Sequence, residues 1–327
     1  METAEVRQTV DRLIGSVWSF STLCYAVETG ILEHLNEPRT ISYVSEHTGV
    51  PLILVERILD VLAALNLVQH QGEMFIADKG LLPLVSPPFK KYFLANLRAS
   101  NFESRHFIDS SNKPASSVGW NFTEPAILQS LGTVSGTTID SSLKEMMSRL
   151  DGLAPHLQAS SARFLDIGIG VGAISTAMCR ALPNLHVVGL DPQDAPLAEA
   201  QRNIAAAGFT NRIELRKQGV EDMTDKEAFD FAFFPQSFMP DDVVKHGLAN
   251  VWQALHPGGW LLVPAMSIPG IDLPAALSRL HDTLWGGGAR VPSQVQAMMI
   301  EAGFNPVFIF ERPGGGTTKA VVGRRPV

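Results

Sequence analysis

The chain has 327 residues, with 26 lysines and arginines against 33 aspartates and glutamates, a formal net charge of −7. At roughly 150 residues per domain there is room for two domains, and 45% hydrophobic with 18% charged residues is a globular composition whose acidic balance disfavours general nucleic-acid binding. Cys24 and Cys179 lie far apart in apolar runs, so neither a disulfide framework nor a metal-ligand cluster is expected, which fits a reducing, cytoplasmic compartment. No apolar stretch approaches the ~18 residues of a membrane span, and the first residues lack the apolar block of a secretion signal.

Residues 5–33 read as helix, because Val6, Val10, Leu13, Ile14, Val17, Phe20 and Leu23 recur at three- and four-residue spacing. The apolar residues cover more than one stripe. Such a helix is buried either in a large core or against a partner chain, and a homodimer formed through this part is expected. After Pro38, a short helix over 40–47, the turn Thr48-Gly49-Val50-Pro51, a second helix over 53–65 and a hairpin tipped by Gly72 make a winged helix-turn-helix pattern. DNA recognition needs polar and basic side chains on the second helix. That helix offers mostly Leu, Ile and Val, with Arg57 flanked by Glu56 and Asp60. A structural or dimerising module is the better reading of residues 1–90.

Residues 91–150 read as a helical linker. A helix over 89–100 is followed by polar and aromatic residues: Phe102-Glu103-Ser104-Arg105-His106, then 113–125, which contains Ala115-Ser116-Ser117 and Trp120. This stretch suits either the lining of a ligand site or an ordinary interdomain surface with anchoring aromatics. A helix over 141–150 buries Leu143, Met146, Met147 and Leu150.

From Arg163 strands and helices alternate, which predicts an open, mostly parallel α/β sheet with its ligands at the carboxyl ends of the strands. The first strand runs into Asp166-Ile167-Gly168-Ile169-Gly170-Val171-Gly172-Ala173. Alternate glycines let the backbone turn tightly and approach a ligand. Asp191 ends the second strand, 19 residues after Gly172, where a carboxylate can accept the hydroxyls of a ribose. The order strand, glycine loop, helix, strand, acid predicts a nucleoside cofactor. Gly168, Gly170 and Ala173 also satisfy the dinucleotide fingerprint. Against it, Asp166 would repel a pyrophosphate and welcome an ammonium group, Gly172 is a third alternate glycine, and no second mononucleotide half follows. The absence of Gly-Lys-Ser/Thr excludes a phosphate-binding P-loop.

Residues 163–265 resemble the Rossmann-like core of S-adenosylmethionine-dependent methyltransferases, with D-x-G-x-G-x-G at 166–172 and His256-Pro257-Gly258-Gly259 as the turn before a strand. With its N-terminal winged helix, the chain is similar to the small-molecule O-methyltransferases of natural-product pathways, which dimerise through that domain. The resemblance implies a Rossmann-like domain at 151–327, S-adenosyl-L-methionine as cofactor and a small molecule as substrate. It puts Asp166, Gly168, Gly170, Gly172, Asp191, Pro192, Val220, Glu221 and Phe234 beside the cofactor, although Asp222 in the same stretch also reads as a surface carboxylate.

Two departures stand out. The family's general-base histidine is expected at Ser237 or Phe238, and Ala289 stands where an acid beside Arg290 is expected. Catalysis by positioning is the resulting expectation. Gln236 would orient the acceptor; His106 and His281 are catalytic candidates that read equally as structural residues; Trp120, Phe238 and Trp285 would bind substrate. A C- or N-methyltransferase, or a non-methylating enzyme or ligand sensor on the same fold, is the alternative. Ser293 is expected to cap the last helix, and a reversed hairpin turning at Gly314-Gly315-Gly316 to close the sheet.

Overall fold

The computed structural model describes residues 3–114, 118–310 and 319–327, without the side chains of residues 140 and 141. The stretch Ala115-Ser116-Ser117 and the turn at Gly314-Gly315-Gly316 lie outside the described residues. The chain divides into two units, Met1–Asn101 and Phe102–Val327.

In the first unit, α1 (Thr3–Glu28) precedes α2 (Ile41–Thr48) and α3 (Leu52–Ala64). Strands β1 (Arg39–Thr40), β2 (Val68–Gln71) and β3 (Met74–Ala77) form an antiparallel sheet in the order β1-β3-β2. The Thr40 side chain caps α2 by accepting the Tyr43 N–H (3.2 Å), and Gly49, at φ 71°, ends it. α3 buries Val55, Ile58, Leu59 and Leu62, one stripe at helical spacing. Its Arg57 is held by Asp60 (2.7 Å) and Glu56 (3.2 Å).

The first helix departs from one of its two expectations. Of α1 only Ala26 and Val27 are buried, whereas Leu13 is 61%, Val17 66% and Trp18 74% exposed. The core of this unit does not take most of that apolar face.

The second unit is built on a seven-stranded sheet in the order β6-β5-β4-β7-β8-β10-β9. Strands β4 (Arg163–Ile167), β5 (His186–Asp191), β6 (Ile213–Lys217), β7 (Phe229–Phe233) and β8 (Leu255–Ala265) are parallel. β10 (Lys319–Arg324) runs antiparallel to both β8 and β9 (Val307–Phe310), the reversed hairpin expected from the sequence. β4 is covered on both faces, with Phe164 in one core cluster and Leu165 and Ile167 in the other, which is why it reads as a nearly continuous apolar run. The chain builds outward from β4 to β6 and then returns to place β7 on the other side of β4. The crevice for a ligand in such a sheet opens at that reversal, above the carboxyl ends of β4 and β7.

Several local readings are corrected. His256-Pro257-Gly258-Gly259 is an irregularity inside β8, where the register with β7 jumps from Phe229↔Leu255 to Phe231↔Trp260. The helix expected over 141–150 is the end of a longer one, α5 (Pro125–Arg149). α6 (Leu153–Gln158) and α10 (Leu273–Leu284) carry no expectation from the sequence. Val291 rather than Ser293 caps α11 (Pro292–Glu301), its N–H donating to Gln294 Oε1 (2.9 Å). The remaining helices of this unit are α7 (Ala173–Ala181), α8 (Asp194–Ala206) and α9 (Asp241–Ala254), while α4 (Lys90–Asp109) spans the division between the units.

Candidate active site

The loop after β4 is shaped by its backbone. Gly168, Gly170 and Gly172 have φ of 63°, 56° and 76°, the left-handed region where a Cβ is strained. Ile169 N–H donates to Leu190 O (2.9 Å), tying the loop to β5. On β5 a Cβ at Gly189 would stand 2.1 Å from Ile169 Cδ1, so that glycine is the seat of the loop's isoleucine. From above, α5 approaches closely: a Cβ at Gly132 would lie 2.2 Å from Val171 Cγ2. The small residues of α5 are therefore a packing requirement of this loop.

Two carboxylates meet here. Asp166 is 1% exposed; its Oδ2 accepts the Ser175 hydroxyl (2.5 Å), while Oδ1 is buried without a hydrogen-bond partner among the described residues. Burial pushes its pKa up to about 7, the Ser175 bonds opposing. Asp191 Oδ2 accepts Gly170 N–H (3.1 Å) and Oδ1 accepts Gln193 N–H (3.0 Å). Burial raises its pKa too, against those two backbone donors. An ionised carboxylate offers about four lone-pair sites, so both residues keep acceptor capacity.

Of the other residues expected at the cofactor, Pro192 and Glu221 are exposed. The side chains of Val220 and Phe234 are buried in the core, where a Cβ on Gly247 would meet both at 2.8 Å. For these two, the backbone remains to meet a ligand. Asn250 fixes that stretch of chain by donating to Val220 O (3.0 Å) and Glu221 O (2.8 Å).

Beside the loop lies an aromatic cluster drawn from distant stretches of sequence. Phe238, just beyond β7, stacks on Trp285 (centroids 5.1 Å, interplanar 26°) and meets Trp120 edge-on (4.8 Å, 86°). Trp120 meets Phe122 edge-on at 5.0 Å, and Phe122 contacts the ring of His106 at 4.7 Å. The cluster is tied to the cofactor end by Gln193 Nε2, which donates to Trp120 O (2.8 Å) two residues after Asp191. Gly119 N–H donates to Leu284 O (3.0 Å), joining the 119–122 segment to the end of α10. The three aromatic residues expected to bind substrate are thus brought together, each half-buried.

The catalytic candidates fare differently. Gln236, expected to orient an acceptor, is spent on the fold. Its backbone and side-chain oxygens accept from Arg290 Nη1 (3.2 and 2.7 Å), and Nε2 donates to Ser237 Oγ and Pro264 O, both at 3.2 Å. Arg290, 4% exposed, also donates to Met239 O (3.2 Å) and pairs with Asp241. His106 Nε2 lies 3.2 Å from Asn121 Oδ1. His281 reaches solvent at the rim, its ring 6.1 Å from that of Trp285, and desolvation by its neighbours keeps its pKa below the ordinary value.

Sequence reasoning passed over Ser175, Gln193, Arg290 and Glu103 as working parts of the site. Glu103 and His106 stand one turn apart on α4, and that i, i+3 spacing is the signal that could have drawn attention to the pair. A cavity of about 640 Å³ lies elsewhere and includes Arg163, His186 and Ile213, which begin β4, β5 and β6. That is the amino end of the sheet, opposite to where such folds hold ligands. Among the described residues no group of three His, Cys, Asp or Glu could hold a metal ion, and no helix is long and apolar enough to cross a membrane.

Residues 164–259 match the family model described as Methyltransferase domain. Carboxy-S-adenosyl-L-methionine synthase of Shewanella amazonensis is 25% identical over 141 residues, which cover 42% of this chain and 58% of the relative. The match therefore spans little more than half the length of that curated relative. Among solved structures, the S-adenosylmethionine-dependent methyltransferase SibL in its apo form aligns with a TM-score of 0.68 and 19% identity, over 97% of this chain and 98% of SibL. Human N-acetylserotonin methyltransferase, solved in complex with S-adenosylmethionine, aligns with a TM-score of 0.67 and 17% identity, over 100% of this chain and 99% of the human one. Residues 164–259 are therefore a methyltransferase domain, and the chain has the fold of S-adenosylmethionine-dependent methyltransferases such as SibL.

Proposed function

We propose that the protein transfers a methyl group from S-adenosylmethionine to a small, partly apolar metabolite, at an oxygen acceptor (hydroxyl or carboxylate) of the kind found in secondary metabolism. The observation that carries this reading is the buried, unpartnered Oδ1 of Asp166 beside a loop of left-handed glycines. A buried carboxylate oxygen without a partner is costly unless a donor or cation completes it. The ammonium of a bound amino-acid moiety is such a group. Asp191, with lone pairs left over, suits the ribose hydroxyls, and Pro192, the backbone at Val220 and Phe234, and Glu221 suit the adenosine. The sulfonium supplies an activated methyl group. What this chain contributes is binding at that loop, an apolar wall of Trp120, Phe238 and Trp285 that excludes water, and a loop after β7 braced by Gln236 and Arg290. Positioning of this kind can account for much of a displacement rate.

Calorimetric titration tests the cofactor. S-adenosylmethionine and S-adenosylhomocysteine should bind and NAD should not; binding of NAD alone would sink the assignment. A second reading, a cofactor-dependent reaction other than methyl transfer, is favoured by Ser237 or Phe238 at the position of the expected histidine and Ala289 at that of the acid. A product without an added methyl group by mass spectrometry would select it.

The partner in this reading is a second copy, covering the exposed Leu13, Ile14, Val17 and Trp18 of α1. Light scattering at micromolar concentration should give twice the chain mass of 35.5 kDa. A monomer mass would remove the dimer.

A further inference from the structure

We propose that Glu103 is the general base of this site, taking the proton of a hydroxyl on a planar ring held among Trp285, Phe238 and Trp120; this rests on the methyl-transfer reading above. Glu103 reaches the aromatic cluster from α4 and is half-buried there. Its Oε1 accepts the indole N–H of Trp285 at 3.0 Å, and Trp285 in turn stacks on Phe238. The same cluster joins the cofactor end through Trp120 and Gln193. A carboxylate thus stands against the wall that faces an acceptor, supplied by a different element from the one expected to carry the histidine.

Its partners set it apart from the protein's structural carboxylates. Asp225 is held by Arg216 at 3.0 Å, Asp241 by Arg290 and Glu199 by Arg202 and Gln129. Among the described residues Glu103 has no such cation, and its Oε2 accepts no hydrogen bond. Satisfying an indole N–H needs only a neutral acceptor, so a carboxylate is more than that task requires. Burial without a counter-charge raises its pKa to about 7, with the Trp285 bond working in the opposite direction. A base poised near the working pH is the efficient one.

The titratable and charged groups around it are few. His106, one turn along α4, lies by Asn121 and Phe122. His281, on α10, stacks over the same indole as Glu103 contacts. Arg105 is exposed and lies 3.8 Å from Asp109. Asp282, with no exposure, accepts the Ser267 hydroxyl (2.6 Å), its Oδ1 buried without a partner among the described residues, and burial raises its pKa against the nearby Arg290 charge. In the step, Glu103 Oε2 takes the hydroxyl proton while the oxygen's electron pair forms the bond to the methyl carbon. The methyl–sulfur bond breaks with its pair left on sulfur, turning the sulfonium into a neutral thioether. The carboxylic acid then returns its proton to solvent.

Glu103→Gln keeps an acceptor for Trp285 and removes the base. The first readout needs neither cofactor nor acceptor: tryptophan fluorescence of the wild type should show a transition near pH 7, absent in Glu103→Gln and Trp285→Phe and retained in Asp166→Asn. The second uses catechol and 2-naphthol as acceptors, with S-adenosylhomocysteine release as the signal. Wild-type kcat/KM should rise with a midpoint near pH 7 to a plateau above it; Glu103→Gln should fall at least ~100-fold with a flat profile and unchanged S-adenosylhomocysteine affinity. Trp285→Phe, which loses the bond that favours the carboxylate, should move the limb to higher pH, and it serves as the test even if Glu103→Gln does not fold. A wild type without the fluorescence transition, or a Glu103→Gln that keeps rate and limb, overturns the proposal. Failure of the wild type to methylate either hydroxylated ring overturns the acceptor class. Failure to bind S-adenosylhomocysteine overturns the methyl-transfer reading instead, and the fluorescence arm then still reports on Glu103.

Discussion

The two sides of the candidate site are built by different means. The cofactor side is a matter of backbone: three glycines at positive φ, a loop tied to Leu190 O, and two acids at the ends of neighbouring strands. The acceptor side is a matter of side chains, in which Glu103, Trp120, Phe238 and Trp285 come from four separate stretches and touch through rings and one indole bond. A loop that a strand-to-helix turn dictates is legible as a short motif and tolerates little change. A cluster assembled from afar leaves no motif, and its ring members can be exchanged at moderate cost to cofactor binding. That freedom is where substrate choice can vary while the cofactor stays the same.

If the two sides differ in this way, the largest loss of cofactor binding should come from the backbone side. Asp191→Ala should weaken S-adenosylhomocysteine binding by on the order of 100-fold, since it removes the anchor of Gly170 N–H and, in the proposed reading, the acceptors for the ribose. A change of less than about threefold in calorimetry would break the comparison at its strongest point.

Asp166→Asn should weaken the same binding by about tenfold and alter the pH dependence of stability. The folded pKa of Asp166 is raised to about 7, above the ordinary carboxylate value. The native state therefore binds the extra proton between about pH 4 and 7, and stability falls as pH rises through that window. Above it the buried carboxylate costs the apo protein on the order of 4 kcal/mol, which the amide avoids. The variant should accordingly unfold at higher denaturant than the wild type at pH 8, and the gap should close by pH 4. Equal midpoints at pH 8 would show that Asp166 is not buried as an acid.

The smallest effect on binding should follow Gln236→Ala. This change removes the side-chain acceptor of Arg290 Nη1 and the bond to Pro264 O while leaving the backbone acceptor, so a stability loss of about 1–3 kcal/mol is expected. Cofactor affinity should stay within a few-fold of wild type while kcat declines modestly. Loss of binding together with kcat would mean that the loop after β7 belongs to the cofactor side.

The order of strands and helices from Arg163, the glycine loop and Asp191 were determined by sequence, because alternation of apolar runs and the φ demanded of each glycine act over a few residues. The same locality made α2, α3 and the hairpin at Gly72 readable. It also drew attention to Ser237 and Ala289, but could not say what stands in for them. Only the tertiary structure decided that the apolar face of α1 is left uncovered by its own unit, and that α5 runs for about four turns before residue 141, where Gly132 and Gly136 allow it onto Val171 and Ala173. It made Gln236, expected to orient an acceptor, a brace for Arg290, and brought Glu103 to Trp285 across 182 positions of chain. Ionisation belongs to the same class. A carboxylate's pKa depends on what surrounds it in space, so the acidity of Asp166 and Glu103 was fixed by burial that no local pattern of residues records.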